Sequence, residues 1–126
     1  MNLKQNSSPI KQSKADNVMY TYSATVTGVY DGDTVTVDID LGLGVWLRGQ
    51  KIRLFGINAP EVRGKSRSAG IDARDWLRSE ILGQSVVLNT IKDKTGKYGR
   101  WLAVVRKNGV SINDKLVSTG HATPYN

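Results

Sequence analysis

Three short stretches of this chain carry side chains suited to one kind of chemistry. In VYDGDTV, Asp31 and Asp33 flank a single glycine; in KIRLFGINAPE, Arg53 precedes Glu61 on a loop stiffened by Pro60; in KYGR, Arg100 follows a glycine at the end of a basic run. Hydrolysis of a phosphodiester needs a base to aim water at phosphorus and cations to balance charge on the non-bridging oxygens, often with a hard metal ion gripping the phosphate. Carboxylates, guanidinium groups and an oxygen-liganded metal meet those needs. Arginine is the apt cation, because its planar fork binds two phosphate oxygens at once and stays charged at any physiological pH. Taken singly, each residue has a plainer reading: Asp-Gly-Asp as turn chemistry, Arg53 as a solvated strand residue, Glu61 as a loop acid and Arg100 as a surface charge. Their combination is what points to a site.

The residue types that are missing narrow the chemistry further. The 126 residues include no cysteine and one histidine, so a thiol nucleophile, a thiolate zinc site and a two-histidine relay are excluded. His121, in TGHATPYN, reads as a surface or packing residue, and no GxxxxGK[ST] phosphate loop occurs. The formal charge of +7 calls for an anionic partner. Lys92, Lys94, Lys97, Arg100, Arg106 and Lys107 face a single acid, Asp93, and Arg63, Lys65 and Arg67 form a second basic cluster. Two such clusters on either side of one helix suit a groove that tracks phosphates. A membrane-surface role is disfavoured, because neither expected helix sets a broad lysine-rich face opposite aromatics.

The elements that must position these groups follow from hydrophobic periodicity. YTYSATVTGVY reads as a strand that turns at Asp31-Gly32, and TVTVDIDL alternates strictly, with Val35, Val37, Ile39 and Leu41 on the inward face. Asp33 shares their parity, so its carboxylate points toward the core side and requires a cation, an arginine or hydrogen-bond donors. Gly42-Leu43-Gly44 leads as a hairpin or bulge into a third strand through Phe55. Ala69, Ala73, Trp76, Leu77 and Ile81 then predict a helix that starts after Ser68 and stops at Gly83. SVVLNTI and RWLAVVRK read as strands either side of the basic loop, and SINDKLVST as a short helix ending at Gly120. This is a β-rich α+β chain whose element order fits a five-stranded OB-type barrel with two helices, although a mixed α+β sandwich fits the same string. Residues 1–18 are expected to be a disordered basic arm and 19–126 the folded domain. No stretch is apolar enough to be a secretion leader, so an intracellular protein is expected unless a leader has been removed.

DGDT before an alternating strand, IRLFGINAPE, a helix, KYGR and INDKLVSTG, in that order, resemble the staphylococcal nuclease (thermonuclease) family over roughly residues 20–125. The resemblance implies an OB-type barrel and a calcium-dependent phosphodiesterase acting on DNA and RNA and leaving 3′-phosphate ends. On that resemblance Asp33 is a metal ligand with Asp31 in support, Arg53 and Arg100 stabilise the phosphate, and Glu61 is the general base. Lys97 and Tyr98 reach a neighbouring phosphate, and Tyr125 stacks on a base. The family's second metal ligand is usually Asp, whereas this chain has Asn58, followed by Ala59 in the place that offers a backbone carbonyl. Asn58 keeps an oxygen but loses a charge, which opens the site to Mg2+ or Mn2+ beside Ca2+. The family's extra C-terminal helix is expected to be absent, and the lost packing either lowers stability or is offset by the longer hairpin around DLGLGVW. The expected partner is DNA, RNA or both, bound by a monomer without membrane attachment. The alternative is a non-catalytic nucleic-acid-binding module on the same barrel. DNA against RNA preference and endo against exo action stay open.

Overall fold

The computed structural model of the chain describes residues 19–95 and 99–125. The arm expected over 1–18, Lys97 and Tyr98, and the side chains of Lys92 and Lys94 lie outside that set. The elements in chain order are β1 (Met19–Asp31), β2 (Thr34–Gly42), β3 (Val45–Leu54), β4 (Ile57–Asn58), α1 (Arg67–Ile81), β5 (Ser85–Thr95), β6 (Trp101–Lys107), β7 (Val110–Ser111), α2 (Ile112–Ser118) and β8 (Thr123–Pro124). A 3-10 turn, Gly64–Ser66, leads into α1.

Strands β3, β2, β1, β5 and β6 pair in that order and antiparallel, and a parallel pairing of β3 with β6 through Ile52, Arg53 and Leu54 closes them into a five-stranded barrel. The closure settles the choice between barrel and open sandwich in favour of the barrel. β7 adds one strand beyond β6, and β4 pairs with β8 in a separate two-stranded ribbon. Inside lie Val35, Val37 and Ile39 of β2, Ile52 and Leu54 of β3, Val86 and Leu88 of β5, and Ala103 and Val105 of β6, as period-two alternation dictates. Each large aliphatic side chain buried in this way stabilises the fold by about 1.5–3 kcal/mol before the entropy of ordering it is subtracted.

Two features depart from simple alternation. In β1 the buried residues switch from even positions, Ala24 and Val26, to odd, Val29, because a bulge slips the register between Val26 and Gly28. Leu41, expected inside, is 46% exposed. The β2–β3 hairpin runs past the end of the barrel, so the parity that buries Ile39 has nothing to pack against two residues later.

Helix α1 buries Gly70, Ala73, Leu77 and Ile81, a stripe at i, i+3 or i+4 spacing. Ala69, expected on that stripe, is exposed and Gly70 takes its place. The helix begins at Arg67 with Ser66 as its cap residue, two residues before the start expected after Ser68, and Ser66 Oγ donates to the Glu61 carbonyl at 3.1 Å instead of capping. Past its C-terminus, Gly83 N–H donates to Val26 O at 2.8 Å and Val26 N–H to Gln84 O at 3.0 Å, which ties the helix end to the β1 bulge. Helix α2 is capped by Ser111, whose hydroxyl accepts the Asp114 N–H at 3.1 Å. From α2 the buried Asn113 accepts from Val105 N at 3.0 Å and donates to Phe55 O at 2.9 Å and Ala103 O at 3.2 Å, so one amide locks helix, β6 and the end of β3 together. Among the described residues no helix is long and apolar enough to cross a membrane.

Candidate active site

The β1–β2 turn is built around its two aspartates. Asp31 Oδ1 accepts the Asp33 N–H at 3.1 Å, an Asx turn. Gly32 between them is required by packing, since a Cβ there would lie 2.7 Å from Ala59 Cβ and 2.8 Å from Ala73 Cβ. The turn is thereby wedged between α1 and the loop that carries Pro60 and Glu61.

Asp33, 6% exposed, satisfies the requirement that its buried carboxylate meet donors or a cation. Oδ2 accepts the Ala59 N–H at 2.8 Å and lies 3.5 Å from Arg53 Nη1, and Oδ1 accepts the Thr34 hydroxyl at 3.2 Å. Arg53, the cross-strand partner of Thr34, is pinned by two further bonds from Nη1, to Leu54 O and Ile57 O at 2.9 Å each. Its Nη2 donates to Asn58 Oδ1 at 3.3 Å. Arg100, arriving just before β6, donates to Thr34 Oγ1 at 3.3 Å. A single hydroxyl thus links the two arginines' neighbourhood: Thr34 receives Arg100 and donates to Asp33, which faces Arg53. Nothing beyond its place in DGDT marked Thr34 in the sequence.

Asp31 sits differently. Burial, then the negative charge of Asp33, push its carboxyl up to about 6, and among the described residues no cation pairs with it. The two crowded carboxylates share a cleft with Asn58, and together these oxygens are the hard donors that suit a dication completed by water and phosphate oxygens. No cluster of three or more His, Cys, Asp or Glu that could hold a metal ion exists among the described residues, so the donors to such an ion would include amide or carbonyl oxygens beside the carboxylates.

Glu61 occupies the rim. Its side chain is 74% exposed, with Arg63 Nε at 3.9 Å. Its backbone is held firmly, because the Glu61 carbonyl accepts Ser66 Oγ and lies directly against the Cα of Gly70, where any Cβ would collide with it. Tyr125 is fixed by its N–H to Gly56 O at 2.8 Å.

One cleft of about 1440 Å³ brings together Asp31, Asp33, Arg53, Asn58, Ala59, Glu61, Arg100 and Tyr125. The same cleft is also lined by Thr34, Tyr30, Lys51 and Phe55, none of which the motifs single out for a role. Carboxylates at the floor, guanidinium groups beside them and an exposed acid at the rim form an arrangement able to hold an anionic ester and deprotonate water next to it.

A sequence model of the family described as staphylococcal nuclease homologue matches residues 51–126. The chain is 32% identical over 120 residues to a thermonuclease of Staphylococcus hyicus, covering 92% of this chain and 66% of that protein. It is 30% identical over 117 residues to a thermonuclease of Staphylococcus intermedius, covering 90% and 65%. An uncharacterized protein of Bacillus anthracis is 32% identical over 107 residues, covering 80% of this chain and 46% of its own length. The chain therefore spans less than two thirds of the length of these curated relatives.

Proposed function

The chain belongs to the staphylococcal nuclease family, and on that premise we propose that it is a metal-dependent phosphodiesterase that hydrolyses DNA, with RNA as a second substrate, leaving 3′-phosphate ends. The observation that carries this reading is the Arg53–Asp33–Thr34–Arg100 cluster at the floor of a cleft wide enough for a nucleotide strand. Arg53 and Arg100 bind the non-bridging oxygens and gain strength as charge accumulates there in the transition state. Because Arg53 is held by two carbonyls, it pays little reorganisation when the phosphate arrives. Glu61 takes a proton from the attacking water; a carboxylate on the solvent side of the cleft, free to rotate toward the phosphorus, suits that role. The new bond joins water oxygen to phosphorus as the bond to the 5′ oxygen breaks; the leaving 5′ oxygen takes up a proton from solvent to become a hydroxyl, and the phosphate stays on the 3′ side. Asp33, Asn58 and the Ala59 carbonyl, with Asp31 in support, would hold a divalent ion, whose contribution when bound is to polarise the phosphoryl group and draw water to it. Lys97, Tyr98 and Tyr125 extend the contact to the neighbouring phosphate and base.

The second reading, a binding module without catalysis, is favoured by Asn58, whose neutral oxygen weakens the hold on a dication and is engaged by Arg53. Cleavage of single-stranded and duplex DNA in chelator, calcium, magnesium and manganese, beside Glu61→Gln, separates the two. Metal-dependent cutting that disappears in the variant is the expected result. Binding without cutting in every metal would make this a binding module.

A further inference from the structure

The register of β1, β2 and β3 sets two parallel rows across the outside of the barrel. Asp31, Thr34 and Arg53 form the row that carries the phosphate-binding cluster, and Gly28, Thr36 and Lys51 form the next row down the strands. Two residues along a strand advance about 6.8 Å, so Lys51 follows Arg53 on the same face at close to the separation of successive phosphates on one nucleic-acid strand. Lys51 is exposed and lines the cleft, and its side chain makes no hydrogen bond or ion pair among the described residues. The next cation along β3, Arg48, is by contrast spent on Asp38 at 3.0 Å and on the face of Trp46.

Gly28 completes the row. Its φ is not in the left-handed region, and a Cβ there would meet only ordinary contacts, 3.6 Å to Thr36 Cβ and 3.8 Å to Thr36 Oγ1. Neither backbone geometry nor packing demands glycine at this place, and its bare Cα lines the cleft beside Thr36, in the row that ends at Lys51. Tyr30 stands 59% exposed at the wall of the same cleft, an aromatic ring available for stacking. The cleft exceeds the roughly 300–1000 Å³ of a site shaped for one small ligand.

We infer that Lys51, Gly28 and Tyr30 form a second nucleotide subsite, in which Lys51 binds the phosphate next to the scissile one and Tyr30 stacks on the attached base. The subsite deepens the phosphodiesterase reading and rests on it for the location of the scissile phosphate. It commits the backbone to run along β3 from Arg53 toward Lys51, with the attached base reaching across β2 toward Tyr30 on β1.

The test is a coupling measurement on single-stranded oligonucleotides with one neutral methylphosphonate moved stepwise along the backbone. For the wild-type chain, neutralising the phosphate adjacent to the cleavage position should lower kcat/KM roughly tenfold, the cost of one charge-assisted contact. In Lys51→Ala that same substitution should cost nothing, while substitutions elsewhere cost both proteins alike. An abasic position on the same nucleotide should be coupled to Tyr30→Ala in the same way, and Gly28→Val should lower kcat/KM on the long substrate with its melting temperature unchanged. A Lys51→Ala penalty that is absent, or equal at every methylphosphonate position, overturns the subsite. Running the cycle as Kd by fluorescence anisotropy with Glu61→Gln keeps the two readings apart. Coupling in Kd without cleavage by the wild type retains the subsite and removes the enzyme, whereas cleavage without coupling retains the enzyme and removes the subsite.

Discussion

Asp33 accepts the N–H of Ala59 at 2.8 Å, joining two segments 26 residues apart in the chain. Through this bond the turn that opens β2 and the loop that carries Glu61 are one structural unit, and the same carboxylate lies against Arg53. A residue expected to hold a metal ion therefore also holds the site's protein framework, and the two roles can be separated by substitution.

Asp33→Ala leaves a buried N–H without an acceptor and the largely buried Arg53 without its counter-charge. Losses of this kind cost about 2–4 kcal/mol together. Asp33→Asn keeps an oxygen for Ala59 and loses the charge alone, so its destabilisation should be clearly smaller. Both variants should lose metal-dependent cleavage. Denaturant unfolding, read beside a cleavage assay, checks the contrast: equal loss of activity with unequal loss of stability is the expected outcome, and equal losses of both would show that the Ala59 bond contributes nothing.

Asp31 predicts a pH dependence of the opposite sign to the usual carboxylate. Its pKa is raised from 3.8 to about 6, so the folded state holds the proton more tightly than the unfolded chain does. The ionised carboxylate opposes folding, fully so above pH 6, and the penalty fades as pH falls from about 6 to 3.8. At face value such a shift is worth about 3 kcal/mol, and partial exposure to solvent reduces it to about 1 kcal/mol. Asp31→Asn should accordingly raise the melting temperature at pH 7.5 by roughly 4 °C, and the gain should vanish near pH 4. A gain that is independent of pH would assign the effect to packing and not to charge.

The extent to which these relationships were legible in the sequence depended on their range. The inward aim of Asp33 followed from its parity with Val35, Val37 and Ile39, a local property of one strand. The Arg53 position followed from the alternation of Ile52 and Leu54 in the same way. Leu41 failed because parity says which way a side chain points and nothing about whether a neighbour is there. The bond of Asn113 to Phe55 and the place of Thr34 beside Arg100 depend on partners 58 and 66 residues distant, which no window of periodicity contains. The start expected after Ser68 missed Ser66, whose hydroxyl turns to the Glu61 carbonyl outside the helix, a partner that helical periodicity does not show.

Asn58 lends its oxygen to Arg53 at 3.3 Å. Replacing it with Asp adds a negative charge to the cleft that Asp31 and Asp33 already line, which raises the cost of the empty site and the affinity of the loaded one. Asn58→Asp should lower the apo melting temperature and tighten the apparent affinity for calcium about tenfold, seen as a steeper rise of melting temperature with added ion. Chelator should then destabilise the variant more than the wild type. An unchanged metal midpoint would exclude Asn58 from direct contact with the ion.

Gly70 offers a test in which propensity and packing predict opposite signs. Within a helix, glycine to alanine ordinarily stabilises by about 0.5–1 kcal/mol, because alanine loses less backbone freedom on folding. Gly70 lies inside α1 and is buried, and a Cβ on it would run into the carbonyl of Glu61 and the N–H of Val62. Those atoms are backbone and cannot swing aside as a side-chain tip can. Either α1 moves off the barrel, opening space beside Leu77, or the loop shifts and takes the Glu61 carboxylate with it. Gly70→Ala should therefore destabilise, by about 1–3 kcal/mol as for other overpacked sites, and should lower kcat while leaving the affinity for a nuclease-resistant oligonucleotide almost unchanged, since Arg53 and Arg100 are anchored elsewhere. Ala73→Gly on the same helix face supplies the comparison: it loosens α1 without pressing on Glu61, and should cost stability with little change in kcat. If the two variants lower kcat equally for equal loss of stability, the close approach of α1 is a packing contact alone, and the position of Glu61 does not depend on it.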